Sequence, residues 1–270
     1  MPVIDDLQNG KSLMRIFRRR RSWCAGAVVA PVLLGVVACG AGSDGEGERA
    51  GDGKSRDAAQ GVKAERADGR AQAGGGRRAA LKEMALAAED VGGRKIRPMN
   101  NALAAAYGKG GSIADPARCR PLDDMLSYGS SPEPKAFHPL SVVEKGSTYD
   151  APKGTKLVVG LAAHDVSGAK KVLAKLRAAV TTCGSGFEGG NGAYDEVQEQ
   201  SPEGLGDESV SYVVWGGAHG EDAGALFTVV RSGSTVVTFN ATDLEAPWKV
   251  TKPDRALVKA QVAKVAKAAH

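Results

Sequence analysis

Apolar positions fall into three regimes along the 270 residues. Trp23 to Ala38 is almost wholly apolar and follows the basic run Arg18-Arg19-Arg20-Arg21. Residues 40–78 then hold Val62 as their only branched apolar residue, in a background of Gly, Ala, Gln and charges of both signs. From Leu81 onward apolar residues return with the periods of helix and strand.

The spacing of Leu81, Met84, Leu86 and Ala88 predicts a short helix stopped by Gly92-Gly93. A second helix is expected over Asp115 to Leu126, with Asp115 as N-cap and Pro116 in the first turn, where a missing amide proton does no harm. Residues 138–145 and 156–163 read as strands around a turn at Pro152-Lys153-Gly154. The clearest helix follows: Val172, Leu173, Leu176 and Val180 share one face, Asp165 or Ser167 can cap the start, and Gly184 follows the end. Val210, Tyr212 and Val214 then mark a strand, Leu226 to Val230 a second, and Arg231 to Phe239 turns on Ser232-Gly233 into a third. Thr251 to Asp254, with Pro253 in the first turn, opens a last helix carrying Leu257, Val258, Val262 and Val265. Consecutive strands with helices before and after them predict an α+β fold. Its antiparallel sheet packs against two or more helices, as one domain over 79–270.

The N-terminal pattern gives an address. The apolar stretch is shorter than the roughly 20 residues needed to span a bilayer, and it ends at Val36-Val37-Ala38-Cys39, followed at once by Gly40-Ala-Gly-Ser-Asp-Gly-Glu. This looks like a bacterial lipoprotein signal, with 1–38 as the cleaved leader, Met14 a possible true start, and Cys39 the acylated residue. The alternatives are an uncleaved anchor or simple secretion with cleavage elsewhere. Acylation at Cys39 implies a lipid bilayer as partner and the extracytoplasmic face of the cell membrane as location. Residues 39–78 are then a tether, too poor in apolar surface to offset the entropy of ordering. About forty flexible residues span roughly 35 Å, from about 5–6 Å times the square root of length.

Charge adds little once the leader is set aside. The whole chain has 36 Lys+Arg against 31 Asp+Glu. Without the six cations and two anions of residues 1–38 the balance is 30 against 29. The net charge of the full chain therefore gives no reason to expect nucleic acid as a partner.

Cys24 leaves with the leader and Cys39 is acylated, so Cys119 and Cys183 are the two thiols of the domain. An oxidising compartment favours a Cys119–Cys183 disulfide; the alternative is two separate buried thiols. Neither cysteine sits in a Cys-x-x-Cys pair or beside a histidine, so no metal site is expected.

One order of features carries a resemblance. It comprises a helix with Cys119 near its start, a helix ending in Cys183, Leu205-Gly206-Asp207-Glu208-Ser209, an apolar strand, the Arg231 to Phe239 hairpin and a terminal helix. This resembles the extracellular sensor domain of PknH-type actinobacterial receptor kinases and the free-standing lipoproteins that share it. The resemblance implies an antiparallel sheet against two helices with a cleft, and a ligand-binding or sensing role without established chemistry. The sequence departs from the kinase in lacking a kinase domain and a membrane-spanning helix. It also has two domain cysteines where the kinase sensor is expected to have four.

Chemical motifs mostly fail. Gly184-Ser-Gly186-Phe-Glu-Gly189 has the spacing of a dinucleotide loop but follows a helix and opens none, so no cofactor is expected. Gly53-Lys54-Ser55 lacks the upstream glycine of a phosphate loop, and no Gly-x-Ser-x-Gly elbow occurs. His164-Asp165 and His219-x-Glu221-Asp222 are polar clusters that fit a helix cap and a solvated loop better than a metal or acid–base site. Asp123-Asp124 are adjacent helix residues, which point in different directions. Trp215, Tyr212 and Phe239 fit a core or an apolar cleft, and Asn240-Ala-Thr242 matches a glycosylation sequon without a role in a bacterium. The chain is read as a non-enzymatic sensor or ligand-binding lipoprotein for a small, lipid or protein ligand. The alternative is an envelope interaction or assembly module.

Overall fold

The computed structural model describes residues 75–99, 107–148, 150–201, 204–217 and 223–268. The leader, Cys39, most of the expected tether, the Gly53-Lys54-Ser55 tripeptide and the His219, Glu221 and Asp222 cluster lie outside these residues. Among the described residues no helix is long and apolar enough to cross a membrane.

Among the described residues nine strands form one antiparallel sheet: β1 (Lys95–Pro98), β2 (Ala136–Val143), β3 (Thr155–Ala163), β4 (Phe187–Gly189), β5 (Gly192–Gln200), β6 (Glu208–Gly216), β7 (Gly224–Ser232), β8 (Thr235–Asp243) and β9 (Val250–Thr251). Their order is β1-β2-β3-β8-β7-β6-β5-β4, with β9 paired to β8. The helices are α1 (75–84), α2 (Arg120–Leu126), α3 (Val166–Thr182) and α4 (Arg255–Ala268). The architecture is the expected α+β sheet against helices, arranged in three layers. Because successive strand residues face opposite sides, β8 sends Val236 to a core cluster shared with α2 and α3, and Val237 and Phe239 to a second cluster shared with α1 and α4.

The clearest periodic pattern gives the best-defined helix. Asp165 is extended and its Oδ1 accepts the Gly168 amide proton at 2.6 Å, which caps α3. Val172, Leu173, Leu176, Ala179 and Val180 are buried along one face. Cys183 ends the helix and is joined by a disulfide to Cys119, with Cα atoms 6.0 Å apart.

Several local expectations shift. Asp115 is not an N-cap: its backbone pairs in both directions with Glu188, so it is extended. The helix begins after a 3-10 turn at Ala117–Cys119, with Pro121 rather than Pro116 in the first α-turn. The hairpin turns on Gly233-Ser234, because Ser232 pairs with Thr235 and the left-handed φ of 58° falls on Gly233. Thr251 belongs to β9, and Asp254 caps α4 by accepting the Ala256 amide proton at 2.8 Å. The first helix is α1, which includes residues 75–78 of the expected tether. A separate 3-10 turn at Ala88–Val91 precedes left-handed Gly92.

Helices α1 and α4 are locked by one amide. Gln261 is fully buried; its Oε1 accepts the Leu86 N–H at 3.0 Å and its Nε2 donates to the Met84 carbonyl at 2.8 Å. A buried polar group left unpaired costs about 1–3 kcal/mol. Gln261→Leu strands both backbone groups, and is expected to lower unfolding free energy by about 2–4 kcal/mol in urea titration.

Candidate functional site

The face carrying α2 and α3 is not covered along its whole length. Ala162 and Val236 belong to the core at the end where β3 hands over to α3. Toward the other end, Val158, Val214, Phe227, Asn240 and Thr242 form the floor of a cleft of about 480 Å³. Tyr107, Leu126 and Tyr128 wall it from the segment around α2, and Asn191 and Tyr194 from the β4–β5 hairpin.

Tyr128 is placed by an uncommon backbone. Its φ is 54°, the left-handed position that usually ends a helix with glycine. Its amide donates to Met125 O at 2.9 Å, and the following Gly129 amide to Asp124 O at 2.8 Å. The turn swings the ring edge-on to Tyr107, at 5.0 Å between centroids, and within 6.3 Å of Phe227. Phe227 in turn stacks on Tyr212 at 5.7 Å, and Tyr194 stacks on Phe187 at 4.8 Å. Burial, and then Tyr107, pushes the Tyr128 phenol well above its ordinary pKa; burial, and then the Asp123 charge, pushes Tyr194 up to about 12. Tyr128 and Tyr194 are therefore neutral phenols at physiological pH, able to donate hydrogen bonds. The Tyr212 hydroxyl, beneath the aromatic layer, has no partner among the described residues.

The residues singled out by sequence scatter. Tyr212 supports Phe227, but Phe239 is buried on the opposite face and Trp215 packs against Gly224 outside the lining. Tyr107, Tyr128 and Tyr194 went unnoticed because each is an isolated aromatic in loop-like sequence; position relative to the sheet makes them a site. Asn240 belongs to the cleft floor and donates through Nδ2 to Leu226 O at 3.0 Å.

Asp123 and Asp124 are both buried and serve different segments. Both Asp123 oxygens accept from the Gly190 amide at 3.2 Å, pinning the β4–β5 turn. Asp124 Oδ1 accepts from the Ser112 amide at 2.9 Å, holding the loop ahead of α2. Burial raises the Asp123 pKa, against the opposing hydrogen bond from the Gly190 amide. A native pKa above the unfolded one means that the folded state holds a proton the unfolded state has lost. Stability therefore falls as pH rises through that interval. Asp123→Asn is expected to be more stable than the parent at pH 7, and to lose that advantage below about pH 4, near the unfolded pKa. Urea unfolding at the two pH values checks this.

His164 and Asp165 border a second cavity of about 430 Å³ with Lys135, Lys171 and Lys175. Asp165 is spent on the helix cap, on Ser167 Oγ at 3.0 Å and on Lys135 at 3.2 Å, and its pKa falls to about 2. Burial lowers the pKa of His164, whose Nε2 has no partner among the described residues. The Gly184 to Gly189 segment leads from α3 into β4 and opens no helix. Gly186, with φ of 88°, lies so close to Tyr194 O that a Cβ there would stand 2.1 Å from it. Among the described residues no three His, Cys, Asp or Glu side chains gather as a metal site.

The sequence matches no protein-family profile and no curated protein. In structure the chain is similar to the crystal structure of the extracellular domain of PknH from Mycobacterium tuberculosis. The two are 12% identical with a TM-score of 0.42, and the match covers 68% of this chain and 91% of that one.

Proposed function

We propose that the chain is an extracytoplasmic lipoprotein, anchored through acylated Cys39, whose domain binds a small or lipid-like molecule in the aromatic cleft without transforming it. The cleft carries this reading. Its size suits a small ligand, its walls are aromatic, and a few neutral polar groups converge on it, the composition by which ligand sites are recognised. The Cys119–Cys183 bond fits an oxidising compartment. Two acyl chains at Cys39 supply enough buried methylene for stable anchoring. The second reading, a module that docks another envelope protein, draws on exposed Trp248 and Ile113.

Thermal unfolding of the chain carrying Cys39→Ala, screened against fractions of cell-envelope extract, tests the reading. A ligand that binds only the folded state raises the melting temperature. At least one small-molecule fraction should do so, and Tyr107→Ala should abolish the shift. If no fraction shifts the parent, the ligand reading fails. A shift confined to protein fractions supports the docking module instead. Cys39→Ala should also release the protein from membranes, and unchanged retention would contradict the anchor.

A further inference from the structure

We infer that the occupant of the aromatic cleft is a ring-bearing amphiphile with a single anionic group, which Lys156 recognises. This rests on the reading of the cleft as the ligand site.

Lys156 lies two residues before Val158 on β3 and opposite Thr242 on β8, so it faces the cleft with both. It is half-buried and makes no ion pair among the described residues. Among those residues it is also the single charged group in the lining. Asp123, behind Tyr194, is committed to the Gly190 amide, and Asp195 is exposed outside the lining.

A half-buried cation at one end of an aromatic-walled cleft gives a ligand anion a charge-assisted partner, which a neutral ligand cannot use. The remaining polar groups cannot replace that charge. Asn240 gives one Nδ2 hydrogen to Leu226 O and keeps a second N–H and its carbonyl, and Thr242 offers a hydroxyl, all of them neutral. Tyr107, Tyr128 and Phe227 supply ring faces and edges at mutual angles, which suits a flat or cyclic body more than a bare ion. The site therefore has an apolar aromatic body and one positive end.

Two fluorescent probes separate the charge from the ring. They are 8-anilinonaphthalene-1-sulfonate and N-phenyl-1-naphthylamine, which share the ring system and differ by the sulfonate. Both are titrated into the full chain and into Lys156→Met, Lys156→Arg and Tyr107→Ala. Lys156→Met should weaken the sulfonate probe about tenfold, the worth of one charge-assisted hydrogen bond, and move the neutral probe less than about twofold. Lys156→Arg should retain the preference. In the unaltered chain, added salt should weaken the sulfonate probe alone. That readout stands even if Lys156→Met fails to fold.

Equal binding of both probes, indifferent to Lys156 and to salt but lost in Tyr107→Ala, would overturn the anion assignment and leave the cleft as a neutral-ligand site. Binding of either probe unaffected by Tyr107→Ala would show that it sits elsewhere and overturn the cleft reading itself.

Discussion

Arg231→Ala is expected to destabilise the protein by about 2–4 kcal/mol, from the loss of several charge-assisted hydrogen bonds of about 1.5–3 kcal/mol each, offset by rehydration of their partners. The guanidinium is buried on β7. Nη1 meets Asp207 Oδ2 at 2.7 Å and donates to Gly233 O at 3.1 Å, and Nε meets Glu208 Oε1 at 2.9 Å. Asp207 Oδ2 also accepts the Gly233 amide proton at 2.9 Å, and Glu208 reaches on to Arg177 of α3 at 3.6 Å. One side chain thus ties the start of β6, the β7–β8 turn and, through Glu208, the covering helix. The carboxylates are partly exposed and can recover water, which keeps the cost below that of a fully buried pair. Arg231→Lys should recover less than half of the loss, because a single ammonium cannot reproduce a planar fork serving three acceptors. Chemical denaturation of the three proteins measures this, and a lysine variant as stable as the parent would reduce the fork to a point charge.

Removing the Cys119–Cys183 cross-link, as Cys119→Ala with Cys183→Ala, should cost about 4 kcal/mol. The bond closes a separation of 64 residues, and the chain-entropy model assigns about that value to such a loop. Its consequence reaches the cleft. The bond joins the start of α2 to the end of α3, and α2 leads directly into Leu126 and Tyr128. Once it is gone, Tyr107 and Tyr128 lose their fixed place over Phe227, so any ligand-induced rise in melting temperature should shrink along with the stability. Non-reducing mass mapping should find the joined peptides; two free thiols would remove the basis of this expectation. A double variant within about 0.5 kcal/mol of the parent would show that packing alone holds the two helices.

The failures of sequence reading have local causes. Strand β5 was not anticipated because Tyr194 and Val197 are its only buried residues. A register shift between Tyr194 and Glu196 spaces them three apart, which hides the period of two. Strand β1, with four residues, and β9, with two, are too short to show any period. Asp115 has the chemistry of a cap, but its backbone is claimed by Glu188, a partner 73 positions away that no local window contains.

Periodicity by itself determined α3, α4, β3 and the β6–β7–β8 meander, because each buries a face whose spacing is written in consecutive residues. The antiparallel sheet with helices around it followed from their order. Only the tertiary structure decided that helices lie on both faces, and that Gln261 closes α1. The same holds for Arg231, which gathers two acidic residues, and for the cleft of Tyr107, Tyr128, Tyr194 and Phe227 over β3, β6, β7 and β8. Those contacts join residues as much as 177 positions apart, and hydrophobic period constrains which face a residue takes, not which distant partner it meets there.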